Sequence, residues 1–200
     1  MLDTPIKMID AVFEVSGDTL PASYPFALWA ALRGHLPLLE TDHAVGVVPL
    51  RTTHSEAGML LPKRAKLILR LPLEMSEHAA ELAMLPLDLA GTTLQLGKLK
   101  LRPLQPYPTL HAHLVNSTED EVQFIANVNA QLTALGIVAK LICGMRNRLE
   151  NAELAIQGYS LVIHDLKPDA SLRLQYTGLG ADRRYGCGIF VPYKAITDLD

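Results

Sequence analysis

Gly178-Leu179-Gly180-Ala181-Asp182-Arg183-Arg184-Tyr185-Gly186-Cys187-Gly188, followed by Ile189-Phe190-Val191 and Pro192, is the stretch around which this 200-residue chain is organised. Two Gly-apolar-Gly triplets bracket five residues, two of them arginine. Glycine admits positive φ and lets another backbone come close, so the paired triplets describe a loop suited to lie against a phosphate chain. Arginine's planar fork grips phosphate oxygens two at a time. The plainer alternative is a flexible hairpin loop whose arginines point into water.

Working outward, Pro168 to Tyr176 reads as a helix with proline in its first turn, and Gly188 to Val191 as the strand after the loop. His111 to Val115 is a strand, and Glu119 to Leu135 a helix with Val122, Phe124, Ile125, Val128 and Leu132 on its inner side. Ile137 to Cys143 and Ala155 to Ile163 are strands, which completes a βαββαβ order. The first half shows the same order. Ile6 to Val15 is strand-like and closes at Ser16-Gly17-Asp18; Tyr24 to Leu36 has helical spacing; Val45 to Leu50 and Lys63 to Leu71 are strands around an Arg51 to Met59 loop. Ser76 to Leu85 reads as a helix capped by Ser76, and Thr92 to Leu101 as the last strand of the half, punctuated by prolines 103, 106 and 108. The expected class is α+β, two tandem ferredoxin-like (RRM-like) domains, 1–104 and 105–200, the second carrying the glycine loop.

Bulk properties bound the possibilities. A 49% hydrophobic, 20% charged chain builds real cores, and no apolar run approaches a membrane span. Met1 to Asp10 carries acids where a secretory leader would be basic and then apolar, so a cytoplasmic protein without a membrane partner is expected. Cys143 and Cys187 are too few for a disulfide framework or a cysteine cage. A net charge of −3 counts against nucleic-acid binding over the whole surface. The cations are clustered, however: Lys63, Arg64, Lys66 and Arg70; Lys98, Lys100 and Arg102; Arg146 and Arg148; Arg183 and Arg184. Folding either gathers them on one face or scatters them as solvated surface.

The glycine triplets near the C-terminus, followed by an apolar strand ending in proline, resemble the glycine-rich loop of the RAMP superfamily. More narrowly, they resemble the CRISPR-associated endoribonucleases that cut repeat RNA into guide RNAs, including the Myxan-type subgroup. Tyr24-Pro25-Phe26-Ala27-Leu28-Trp29-Ala30-Ala31-Leu32 with Leu36-Pro37 is similar to the first helix of that subgroup, Gly46-Val47-Val48-Pro49 to the strand after it, and Gly144-Met145-Arg146-Asn147-Arg148 to a basic turn of the second domain. The resemblance implies the RAMP fold and a metal-independent cut in which the RNA's own 2′-OH attacks, leaving a 2′,3′-cyclic phosphate and a 5′-OH. It implies no cofactor, a repeat hairpin as substrate and retained product, and other subunits of an RNA-guided effector as further partners.

Such a cut needs a base, an acid and cations about the phosphorane, and histidine suits proton transfer near neutral pH. His35, at the end of the first helix, best matches the helix-borne histidine of many family members; His43 ranks second and His54 third. The subgroup carries histidines where this chain has Leu39-Glu40 and Val48, which favours a second reading, a RAMP subunit that binds guide RNA without cutting. A third is a ferredoxin-like module whose loop holds a small phosphate ligand. RNA contacts are expected from Lys63, Arg64, Lys66, Arg146 and Arg148, and in the loop from Gly178, Gly180, Arg183, Arg184, Gly186 and Gly188. His111 and His113 share a strand face, but without a Cys, Asp or Glu at matching spacing no metal site is expected.

Overall fold

The computed structural model describes residues 6–56 and 58–193; residues 1–5, Ala57 and residues 194–200 lie outside them. The chain runs β1 (Met8–Ser16), β2 (Thr19–Leu20), α1 (Tyr24–His35), β3 (Gly46–Val48), β4 (Thr53–Ser55), β5 (Gly58–Leu60), β6 (Lys66–Pro72), β7 (Pro86–Leu89), β8 (Thr92–Pro103), β9 (Leu110–Asn116), α2 (Glu121–Ala134), β10 (Lys140–Glu150), β11 (Ala155–His164), α3 (Pro168–Thr177) and β12 (Val191–Pro192). The first sheet has the order β3-β6-β1-β8, extended at one edge by β7, and the second the order β10-β11-β9-β12. All pairs are antiparallel. Both sheets therefore place the first and third strands of a βαββαβ unit at the centre, the ferredoxin-like arrangement.

Alternation decides which side of each strand meets the helices. Ala11 and Phe13 of β1 and Leu67, Leu69 and Leu71 of β6 bury against Leu28 and Leu32 of α1; Leu110, Ala112, Leu161 and Ile163 do the same under Phe124, Val128 and Leu132 of α2 and Leu174 of α3. A proline in the first turn starts both α1 and α3, and the Asp120 side chain caps α2 by accepting from the Gln123 N–H at 2.9 Å. Val122, expected on the inner side of α2, is 80% exposed. It sits in the helix's first turn, off the 124-128-132 stripe that meets the sheet.

The remaining departures are local. Ser76 to Leu85 is not an α-helix: two 3₁₀ turns, Leu73–Met75 and His78–Leu82, fill the space between Pro72 and Pro86, and no side chain caps them. Met75, Ala79 and Leu82 still bury, so short turns cover that end of the sheet where a helix was expected. The Arg51 to Met59 loop holds the strands β4 and β5, which join β2 in a three-stranded sheet. Lys63 and Arg64 precede β6 instead of opening it. Gly144 to Arg148 is no turn; it lies within β10, at a register shift between Cys143 and Arg146.

The side of the first sheet turned away from α1 packs on the second unit through charge. Gly46, Arg70, Asp10 and Arg102 form one cross-strand row. Arg70, 1% exposed, donates through Nε to Asp10 Oδ1 at 2.9 Å, and through Nη1 to the Phe190 carbonyl at 2.6 Å and the Gln175 carbonyl at 3.4 Å. One guanidinium from the first sheet thus satisfies carbonyls at the end of α3 and beyond the glycine loop. A buried charge held this way fixes geometry more than it adds stability.

Candidate nucleic-acid interface

The glycine loop folds as two crossings around one helical turn. Gly178, Gly180, Gly186 and Gly188 all take positive φ. The need is steric at Gly188, where φ is +65° and a Cβ would run into the Leu179 carbonyl, while its N–H donates to Leu114 O at 2.7 Å. At Gly186, φ is +90° and a Cβ would stand 2.9 Å from Pro49 Cγ. Between the triplets, Arg183–Tyr185 forms a 3₁₀ turn behind a left-handed Asp182.

Arg183 does not face solvent. It is 7% exposed; Nε donates to the Ala44 carbonyl at 3.0 Å and Nη1 to the Thr177 carbonyl at 2.7 Å. Burial first, then the charge of Arg70, pushes its pKa down to about 10, with Asp42 opposing. The loop's first arginine is therefore a brace between the units, withdrawn from the phosphate contact expected of it. Gly178 and Gly188 are buried as well and serve the crossing itself, whereas Gly180 and Arg184 are exposed. The Arg184 guanidinium lies 4.9 Å from the Tyr185 ring centroid.

Beside this turn a cleft of about 520 Å³ opens between the two units. One wall is the start of α1 (Tyr24, Pro25) with the segment after β3 (Pro49, Leu50, Arg51, Thr52, His54); the other is β9 and β10 (His113, Leu114, Asn147, Arg148, Leu149), with Tyr185 to Cys187 joining them. Phe26, Leu114, Ile156 and Cys187 form a small apolar core at the junction. Tyr24 is anchored from within: its hydroxyl accepts the Leu50 N–H at 3.0 Å, and burial raises its pKa to about 12. Asn147 donates through Nδ2 to the His113 carbonyl at 3.0 Å.

The cleft sorts the candidates. His54 borders it, and so does His113, one of the strand histidines that the sequence leaves facing solvent or RNA and not a metal. Its signal in the sequence was real but partial: His111 and His113 do share the strand face that leads to the cleft, and their proximity shows in His111, whose pKa is lowered first by burial and then by the charge of His113. His35, exposed at the last position of α1, lies about 16 Å along the helix from Tyr24, and neither it nor the exposed His43 borders the cleft. Of the cations, Arg148 lines it and pairs with Glu150 at 2.7 Å, and the exposed Arg51, which no motif singled out, lines the other wall. Arg146 is held elsewhere, 5.4 Å over the Tyr159 ring. Lys63, Arg64 and Lys66 are exposed away from the cleft, Lys66 beside Glu14 at 3.5 Å. Among the described residues no three His, Cys, Asp or Glu side chains converge as metal ligands, and no helix is long and apolar enough to cross a membrane.

A family model described as Cas6 Crispr matches residues 9–195. The chain belongs to the Cas6 family. A CRISPR-associated endonuclease Cas6 from Myxococcus xanthus (strain DK1622) is 36% identical over 186 residues, 92% of this chain and 81% of that protein. Solved structures share the fold at low identity. A RAMP protein described as binding different RNA substrates superposes with a TM-score of 0.66 at 9% identity, covering 92% of this chain and 98% of that one. A CRISPR associated protein Cas6 gives 0.63 at 11%, covering 94% and 99%, and a CRISPR endoribonuclease Cse3 bound to a 19 nt RNA gives 0.53 at 12%, covering 92% and 98%. Cas6 membership sets aside the reading of the loop as a small-ligand module.

Proposed function

We propose that this Cas6-family chain is an endoribonuclease that matures CRISPR repeat RNA in the cleft between its two units, residues 1–104 and 105–200, and that it cuts without a metal. The observation that carries the reading is the meeting of His54 from the first unit and His113 from the second at one cleft, with Arg51 and Arg148 on its walls. A 2′-hydroxyl attack needs two proton-transfer groups on different sides of one phosphate, and cations to hold the charge of the phosphorane. One imidazole takes the 2′-OH proton as the 2′-oxygen bonds to phosphorus. The other gives a proton to the 5′-oxygen as its bond to phosphorus breaks. The products are a 2′,3′-cyclic phosphate and a 5′-OH. Arg51, Arg148 and Arg184 contact phosphates, and the repeat hairpin stays bound as the guide passes to an effector assembly.

The test is repeat RNA incubated with the protein in excess EDTA, beside the same RNA carrying a 2′-deoxy nucleotide at the cleavage position. Cutting that survives EDTA and stops with the deoxy substitution is expected. Val48, standing where the subgroup carries histidine, favours the second reading of a subunit that binds without cutting; tight binding with no product from either RNA would establish it in place of the first.

A further inference from the structure

The cleft has one aromatic surface besides the anchored Tyr24, and it comes from the glycine loop. Tyr185 is half-buried, borders the cleft, and packs its ring against Phe26 with centroids 4.7 Å apart and planes tilted by 50°. Arg184 stacks over the same ring and makes no ion pair or hydrogen bond among the described residues. The turn carrying both is fixed at each end: Arg183 is tied to Ala44 and Thr177, Gly186 abuts Pro49, and the N–H groups of Tyr185 and Cys187 donate to the Asp182 carbonyl at 2.9 and 3.2 Å. A loop fixed at both ends, an aromatic ring backed by a second ring and an exposed arginine lying over it make up a base-stacking site, because rings and guanidinium planes stack on nucleobases and the backing ring prevents retreat.

We propose that Tyr185 is the nucleobase platform of the cleft: the RNA base next to the cleaved phosphate stacks on its ring, with Arg184 passing from the ring to that nucleotide's base or phosphate. The proposal rests on the ribonuclease reading and deepens it, since it assigns the glycine loop the task of placing one nucleotide beside His54 and His113. A cavity of about 520 Å³ accommodates a ligand of nucleotide size. The loop's two arginines thereby divide their roles, Arg183 as inner brace and Arg184 at the ligand.

The experiment uses the full chain and repeat RNA with 5-iodouridine placed in turn at each position around the cleavage site. Irradiation is expected to join one position to Tyr185, identified by mass spectrometry of the digested complex. Tyr185→Phe should bind as the wild type does, and Tyr185→Leu should bind about 5- to 150-fold more weakly, the range of one lost base-aromatic stack. Tyr185→Phe should melt with the wild type, and Tyr185→Leu, which gives up the ring's packing on Phe26 but keeps an apolar side chain there, a few degrees lower and still cooperatively. The proposal is overturned if wild-type protein binds RNA but every adduct maps away from Tyr185, or if Tyr185→Leu binds as tightly as Tyr185→Phe. Failure of the wild type to bind repeat RNA at all would instead remove the ribonuclease reading and the platform together.

Discussion

Replacing Arg70 with methionine tests the seam that holds the two walls of the cleft in register. The side chain is 1% exposed, and its loss removes an ion pair to Asp10, itself 2% exposed, together with donors to the carbonyls of Phe190 and Gln175. Breaking a buried pair by removing one partner generally costs about 3–5 kcal/mol, because the other charge is stranded. Here Asp10 keeps Arg102 at 3.2 Å, whose side chain is 53% exposed, so the lower end of that range applies, about 3 kcal/mol. For a chain of this size that lowers the melting temperature by about 6–12 °C. Differential scanning calorimetry on Arg70→Met, Asp10→Leu and the double variant measures it, with the double variant losing clearly less than the sum of the two singles. A melting temperature for Arg70→Met within 2 °C of the wild type would refute the claim that this guanidinium joins the units, and strict additivity in the cycle would refute its coupling to Asp10.

Gly188→Ala forces a Cβ against the Leu179 backbone at positive φ, so the crossing must open; soluble yield and RNA affinity are both expected to collapse, and a well-folded, fully active variant would show the crossing to be dispensable. Tyr24 gives a pH signature. Its pKa is raised to about 12 in the folded chain against about 10 unfolded, so its contribution is complete below pH 10 and drains away as pH climbs toward 12. Tyr24→Phe should flatten that alkaline loss in melts taken across the window, while costing about 1–3 kcal/mol at neutral pH for the orphaned Leu50 N–H. Burial raises the Cys187 thiol to about 12, with Asp182 adding to the shift, so at pH 8 iodoacetamide should label Cys143, only half-buried, long before Cys187 in the folded chain.

The architecture was legible where periodicity was strong and long. The α2 stripe of Phe124, Val128 and Leu132, the alternation in β6 and β11, and proline at the start of two helices are local signals that the fold obeys. Where tertiary packing chose between local options the sequence was silent. Met75, Ala79 and Leu82 have the spacing of an α-helix, yet they bury from two separate 3₁₀ turns, a choice that packing makes and local periodicity does not encode. The hairpin of β4 and β5 has mostly exposed residues and owes its existence to pairing with β2.

The site was legible as a loop and opaque as a cleft. Two adjacent arginines look alike in a sequence, yet one turn of 3₁₀ helix sends Arg183 into the seam and Arg184 outward. That His54 and His113 border one cleft depends on how one unit sits on the other, which no spacing along the chain encodes. His35 fitted a family position, but the helix presents its first turn, not its last, to the cleft.

The central claim is that His54 and His113 are the proton-transfer pair, and single-turnover cleavage of repeat RNA by histidine variants measures it most directly. His54→Ala and His113→Ala should each slow the chemical step by about 10²- to 10⁴-fold with little change in RNA affinity, the usual effect of deleting a general acid or base. His35→Ala and His43→Ala should cut at the wild-type rate. Cleavage that survives in both cleft variants and is lost in His35→Ala would contradict the account and return the chemistry to the end of the first helix.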